Sequence, residues 1–332
     1  MNLNRLINTL SIQTASYDSD RMSRYIMRQL DNRNIPYTQD KTGNIYATKG
    51  NAKLYPTMVS HIDTVHAVNE DVVVKRQGNN LYAIDTYKME QYGIGGDDKV
   101  GVFITLELLD IFQHFKAVFF VDEEVGCIGS SHCNHKFFED STIVLQCDRK
   151  GAKDFTSTIL NQPMLSVEFM EYVKPIVKSF NREYVNGGMT DVHELSEHIP
   201  ICMANMSCGY YNPHSAREYV NIENVFDTLE FCKQILTSTA HKQWSIKRPV
   251  YPSFTSYAPS ANSIFTKSKY SYSYSEPLYD YYDDFIEDTS KQCELCNENL
   301  LYDHYDNSHY CIECDISFDN NYKKQSHDTN TI

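Results

Sequence analysis

The chain has 332 residues, enough for two ordinary domains or for one large domain with an appendage. Hydrophobic residues make up 41% and charged residues 22%, which allows a buried core and excludes a chain disordered along its length. Lys and Arg total 30 against 44 Asp and Glu, and the net charge of -14 argues against a general nucleic-acid binder and against charge-held membrane attachment.

The opening residues, MNLNRLINTLSIQTAS, lack the apolar run and small-residue cleavage site of a secretory signal. The longest apolar run, Ala117 to Val121, is far too short to span a bilayer, so a soluble cytoplasmic protein is expected. Ser19 to Leu30 opens on a Ser/Asp cap and repeats apolar residues at helical spacing. Asn44 to Thr48 and Thr57 to Ser60 read as strands, and Val72 to Lys75 and Leu81 to Ile84 as a hairpin turning at Gly78-Asn79-Asn80. Val100 to Phe112 is a strongly apolar helix, followed by strands at Ala117 to Val121 and Ile143 to Gln146. Met164 to Lys174 is ambiguous, with Pro175 opening a short helix to Phe180. Ile199 to Met203 reads as a strand and Ile222 to Leu236 as a closing helix. The alternation predicts an α/β fold, a three-layer αβα domain over residues 1–244 with a mostly parallel central sheet. In such sheets chemistry gathers beyond the carboxyl ends of the strands.

Composition changes after Trp244. Residues 245–290 are rich in Tyr and Ser, then acidic from Glu276, and read as a linker without a core of its own. Residues 291–319 hold two CxxC pairs, and residues 320–332 form a polar tail. The ten cysteines divide accordingly. Cys127, Cys133, Cys147, Cys202, Cys208 and Cys232 are scattered as single thiols of a reduced core. Cys293-x-x-Cys296 and Cys311-x-x-Cys314, fourteen residues apart, have the spacing of one structural Zn2+ site, a small zinc-ribbon-like module. Few basic residues accompany it and an acidic linker precedes it, so a protein partner, or docking on the chain's own main domain, is favoured over nucleic acid.

Five short strings place metal-type or acid–base residues where strands should end. In Ser60-His61-Ile62-Asp63-Thr64, His61 and Asp63 lie two apart and share one side of an extended backbone, which suits an imidazole ligand oriented by a carboxylate. In Gly93-Ile94-Gly95-Gly96-Asp97-Asp98-Lys99, Asp97 either caps the following helix or bridges two cations. Asp122-Glu123-Glu124 puts three acids directly after a hydrophobic strand, a repulsion that a nearby cation would relieve. Asp148 follows at another strand end, and His214 lies in Tyr210-Tyr211-Asn212-Pro213-His214-Ser215.

In that order, with Ala216-Arg217-Glu218-Tyr219-Val220 after the late histidine, the strings resemble the zinc exopeptidases of the peptidase T and aminoacylase family, relatives of the acetylornithine deacylases. Asn186-Gly187-Gly188-Met189-Thr190-Asp191 is similar to that family's Gly-Gly-Thr-Asp loop with one residue inserted. The resemblance implies two catalytic divalent metals, zinc or else cobalt or manganese. His61 and Asp148 would hold one, Glu124 and His214 the other, and Asp97 would bridge them. Asp63 would orient His61, and Glu123 would be the general base. The implied activity is hydrolysis of an amide bond in small peptides, of aminopeptidase or di/tripeptidase type. An N-acyl amino acid deacylase would use the same site. A catalytically degenerate scaffold is the remaining alternative, against which all five ligands and Glu123 speak.

Only 65 residues separate Asp148 from His214, too few for the lid domain that the family inserts there. An open catalytic core is therefore expected, with no lid histidine for the oxyanion. Tyr210, Tyr211 and Arg217 are the nearby substitutes, although packing explains either Tyr better.

Overall fold

In a computed structural model of the chain, residues 2–248 are described, together with the strands 285–292, 299–303, 308–311 and 316–318. Two units are distinguished, Met1–Ser253 and Phe254–Ile332. The first unit begins with α1 (Leu3–Leu10) and α2 (Asp20–Asp31), followed by β1 (Tyr37–Gln39), β2 (Ile45–Lys49) and β3 (Tyr55–His61). A hairpin of β4 (Val72–Gln77) and β5 (Asn80–Asp85) leads through β6 (Glu90–Tyr92) into α3 (Gly96–Ile111). Next come β7 (Phe115–Phe120), α4 (Ile128–Ser131), β8 (Ser141–Arg149), β9 (Asp154–Ile159), β10 (Gln162–Pro163) and α5 (Val167–Ser179). The unit closes with β11 (Glu183–Gly187), α6 (Asp191–Ser196), β12 (Met203–Ser207), β13 (Tyr210–Tyr211), β14 (Tyr219–Asn221) and α7 (Ile222–Thr239).

Nine strands form the main sheet, in the order β1-β2-β7-β3-β8-β12-β9-β10, with β11 on β9. The central strands β7, β3, β8 and β12 are parallel. Their side chains alternate between two cores, as a pleated strand requires. Met58, Ala117, Phe119, Leu145 and Cys147 join the core under α1, α2, α3, α5 and α7, while Val59, Val118, Phe120 and Val144 join that under α6. The sheet is thus covered on both faces. α3 can lie at the centre because thirteen of its sixteen residues are buried and the run from Val100 to Leu109 is mostly apolar. Segment 149–213 contributes strands to this sheet, and among the described residues it forms no separate domain.

A second sheet, in the order β13-β14-β5-β4 with β6 also on β5, is built on the hairpin. Its two-residue turn, Gly78-Asn79, has Gly78 at φ 57. That left-handed backbone matches the twist of paired strands.

Several elements differ from expectation. α5 is one helix with Pro175 inside it, started by the Ser166 side chain accepting from the Phe169 N–H, so Pro175 opens nothing. The last central strand is Met203–Ser207, displaced from the apolar run Ile199 to Met203. Ile199 and Ile201 instead fill the core under α6 as the lead-in. α1 lies in the opening stretch, where no element was expected. The packed chain also continues beyond residue 244. Trp244 and Ile246 are buried, and the Arg248 guanidinium donates to the carbonyls of Pro163 (3.2 Å), Ile199 (2.8 Å) and Ile201 (2.8 Å).

The second unit contains β15 (Phe285–Gln292), β16 (Asn299–Asp303), β17 (Ser308–Cys311) and β18 (Ile316–Phe318), an antiparallel meander. β15 begins inside the stretch assigned to the linker, where acids interrupt its β-forming residues. Cys293, Cys296 and Cys314 lie outside the described residues, and Cys311 ends β17. Among the described residues no helix is long and apolar enough to cross a membrane.

Arg248→Ala would strand three carbonyls at the edge of the main unit. A loss of about 2 kcal/mol is expected, lowering the thermal midpoint of the full chain by roughly 4–8 °C. Unchanged melting would show that these three hydrogen bonds contribute no net stability.

Candidate metal centre

Strand register decides which side chains meet. β3 ends on His61, which is paired with Phe120 of β7, and Val59 is paired with Gln146 of β8. Residues just past Phe120 and just past Gln146 therefore arrive level with His61. Those residues are Glu123, Glu124 and Asp148. The second sheet brings in the other two. β5 pairs with β6, which leads to Asp97, and with β14, which follows His214. Just before Asp97, Gly95 takes φ 66, and a Cβ there would lie 2.6 Å from Lys99 Cε, so the turn requires glycine.

The two oxygens of Asp97 face different partners. Asp97 Oδ1 lies 3.1 Å from His61 Nε2, which is also 3.5 Å from Asp148 Oδ1 and 4.0 Å from Glu123 Oε2. Asp97 Oδ2 lies 3.4 Å from His214 Nε2, which is 3.2 Å from Glu124 Oε2. The five residues assigned as ligands from sequence, together with Glu123, thus converge on one place.

Several of them are held from behind. Asp63, fully buried, lies 3.4 Å from His61 Nδ1 and accepts from the Ser16 hydroxyl (2.8 Å) and from the backbone N–H groups of Glu123 (3.0 Å) and Glu124 (3.3 Å). It therefore orders the acidic turn as well as facing the imidazole. Asp148 accepts from Thr190 Oγ1 (2.8 Å) and from the Tyr210 hydroxyl (3.3 Å), and its N–H donates to Asn205 Oδ1 (2.8 Å). Tyr210 thus contacts the site and does more than pack. Tyr211 packs, stacked on Tyr219 at 5.0 Å. Asp98 accepts from the N–H groups of His61 (3.2 Å) and Gly101 (3.0 Å), so it both supports the site and caps α3. Lys99 turns away, donating to the carbonyls of Leu10 and Ile12 and tying α1 to α3.

Sequence reasoning passed over Gln146, Thr190, Asn205 and Glu218 as working residues. Gln146 Nε2 donates to Asp191 Oδ2 (3.0 Å), and its carbonyl accepts from the Val192 N–H (3.1 Å). Glu218 accepts from the Gly95 and Asp97 N–H groups. Only the family-like NGGMTD and AREYV strings hinted at Thr190 and Glu218.

Charge in this cluster is unevenly balanced. Burial disfavours charge on His61, but Asp148, Asp63 and Asp97 outweigh it and hold the imidazole well above its ordinary pKa. For His214, Asp97 and Glu124 likewise overcome burial and raise it to about 11. Asp97 is held low, because its two imidazoles outweigh burial. Burial pushes Glu123 well above the carboxylate range, with Asp148, Asp191 and Glu124 adding repulsion. Burial and Asp97 bring Glu124 to about 7. More negative charge is gathered here than two imidazoles can balance, and Glu124 Oε1 is buried without a hydrogen-bond partner among the described residues. Carboxylate and imidazole donors of this kind suit zinc and similar divalent ions, so the residues present fit such metals. His61, Asp97 and Glu124 offer ligand atoms all within 4.8 Å of one another. Another such trio, Glu194, Glu197 and His198, lies toward solvent, where water can carry the charge.

A sequence model of Peptidase family M28 matches residues 44–230, a span that contains all seven catalytic-site residues named from sequence. The crystal structure of aminopeptidase PepT from Bacillus cereus superimposes with a TM-score of 0.60 at 13% identity, covering 72% of this chain and 98% of that one. A tripeptidase from Staphylococcus aureus gives 0.58 at 13% identity, covering 72% and 98%. A TET aminopeptidase from a marine-sediment Thaumarchaeota archaeon gives 0.53 at 12%, covering 72% and 97%. At these identities the likeness is one of fold. No curated protein sequence matches the chain.

Asp63→Ala removes the common acceptor of two backbone N–H groups and a hydroxyl. A loss of about 2–4 kcal/mol is expected in urea unfolding of the full chain. A loss below about 0.5 kcal/mol would mean that water replaces the carboxylate there.

Proposed function

The chain belongs to peptidase family M28 and is a metallopeptidase, and from that premise we propose that it is an exopeptidase of small peptides with a dinuclear metal site and Glu123 as general base. The observation that carries this reading is the division of the Asp97 carboxylate between two donor pairs. His61 and Asp148 with Asp97 would hold one ion, and His214 and Glu124 with Asp97 the other. Zinc is the ion best matched to this donor set. Bound there, two divalent ions would supply charge that acidifies water and polarises the scissile carbonyl.

The remaining chemistry falls to the chain's own side chains. Glu123 Oε1 receives the Cys127 thiol at 3.6 Å, which leaves Oε2 facing the centre. Glu123 is not one of the assigned ligands and has one oxygen toward the centre, so it can take a proton from water held beside it. Accepting it from water at Oε2 and delivering it to the leaving amine is the task such a group suits. Asp63 keeps Glu123 in place through its backbone N–H and faces His61 from behind. Preference for free peptide ends leans on the aminopeptidase and tripeptidase structures that share the fold. The C-terminal Cys293, Cys296, Cys311 and Cys314 are proposed to hold one structural Zn2+ as a separate module.

Glu123→Gln keeps the shape and removes the base. Hydrolysis of di- and tripeptides is expected to fall about 10²–10⁴-fold in kcat with metal content unchanged. Wild-type turnover in that variant would overturn the assignment, and cleavage of acyl-amino acids alone would favour a deacylase. Cys293→Ser with Cys311→Ser is expected to remove one equivalent of zinc and leave peptide hydrolysis in place. Joint loss of zinc and activity would show that the module belongs to the catalytic unit.

A further inference from the structure

We propose that Glu218 is a positioning residue that sets the separation of Asp97 and His214, and through it the affinity of the metal position they share with Glu124. The inference rests on the dinuclear reading above. Glu218 is fully buried and lies four residues after His214. The short stretch between them is a closed turn. Ser215 Oγ donates to the Asn212 carbonyl (2.8 Å), the Arg217 N–H to Ser215 Oγ (3.2 Å) and the Glu218 N–H to the Ser215 carbonyl (3.2 Å). From the end of that turn the carboxylate crosses to the other loop. Oε2 accepts from the Gly95 N–H (2.7 Å) and Oε1 from the Asp97 N–H (3.1 Å). Oε2 also lies 2.9 Å from His66 Nε2. One side chain therefore joins the start of α3, which presents Asp97, to the loop that presents His214.

Packing leaves little slack between the two loops. A Cβ on Gly96 would lie 2.6 Å from Tyr210 Cβ and 3.2 Å from Glu218 Oε1, and a Cβ on Gly93 would fall within about 2 Å of the His66 ring. Space alone does not explain a carboxylate at this position, since a glutamine has the same volume. The donor count does. Backbone N–H groups face both oxygens, and an amide presents only one acceptor. In Glu218→Gln the other end of the amide would set an NH2 against an N–H, so the loops would have to part. Charge-assisted bonds of this kind also offset the cost of burying the anion. His61 and Asp148 are carried by central strands of the main sheet, whereas His214 and Asp97 are both outside strands. Loss of the tie should therefore weaken the His214–Glu124 position more than the His61–Asp148 position.

The test is a Co2+ titration of the metal-stripped full chain, followed by visible absorption and equilibrium dialysis, with thermal melting alongside. Any equivalent held by thiolates is told apart by its intense sulfur-to-metal absorption. Wild type is expected to take up two oxygen- and nitrogen-ligated equivalents. Glu218→Gln is expected to bind one of them about 10–100-fold more weakly, the usual cost of losing a partner behind a ligand. Its lost kcat should return with excess metal at little change in KM. His66→Ala, which removes one of the three donors to the carboxylate, should shift the same equivalent by less. It carries the test if Glu218→Gln does not fold. Variants that titrate like wild type, even with lowered melting, would overturn the inference and leave Glu218 a packing residue. A wild type that binds fewer than two such equivalents would overturn the dinuclear reading itself, and this inference with it.

Discussion

Like charge held out of water is the constraint on which the rest of the structure depends. Asp63, Asp97, Asp148, Asp191, Glu123 and Glu124 share a largely desolvated space with two imidazoles. Burial alone raises the pKa of most of these acids, and their neighbours raise it further. Such a group stays together only if each member is held by something stiffer than itself. The fold supplies that stiffness through parallel strands buried on both faces and backbone N–H groups aimed at the carboxylates.

Two sheets divide the work. The main sheet fixes His61, Asp148 and the acidic turn by register, because adjacent parallel strands end together. The small sheet fixes Asp97 and His214, since β5 has β6 and β14 as partners at successive positions along one strand. A hairpin that contributes no side chain to the cluster therefore helps to set its geometry. The junction between the two systems is the start of α3. There Asp98 reaches the His61 backbone and Asp97 reaches both imidazoles.

Much of this was legible in the sequence. The apolar runs that end in His61, in Asp122-Glu123-Glu124 and near Asp148 mark strands with chemistry at their carboxyl ends, and strand alternation implies the α/β layers. The groups behind the clustered acids and imidazoles were not legible, because Glu218, Asn205 and Thr190 sit in loops or strands with no periodic signature. Their roles follow from pairs far apart in the chain. Glu218 meets Asp97 across 121 residues, and Asp148 meets Asn205 across 57. Local rules also misplaced the strand Met203–Ser207, because Asn205 and Ser207 interrupt its apolar residues while Ile199 and Ile201 before it are apolar and buried under α6. Pro175 was misread for a similar reason. A helix packed against α7 tolerates the loss of one N–H in its interior.

By itself the sequence determined the chemical inventory and the elements that carry it. Residue type fixes what can bind a cation or hold a proton, and hydrophobic period fixes which segments become strands and helices. Tertiary structure alone decided which oxygen of Asp97 faces which imidazole, that Tyr210 supports Asp148 while Tyr211 packs, and that Glu218 joins the two loops. Those outcomes depend on distances of a few ångströms between residues remote in the chain. Such distances are set by strand register and side-chain packing, and one-dimensional patterns record neither.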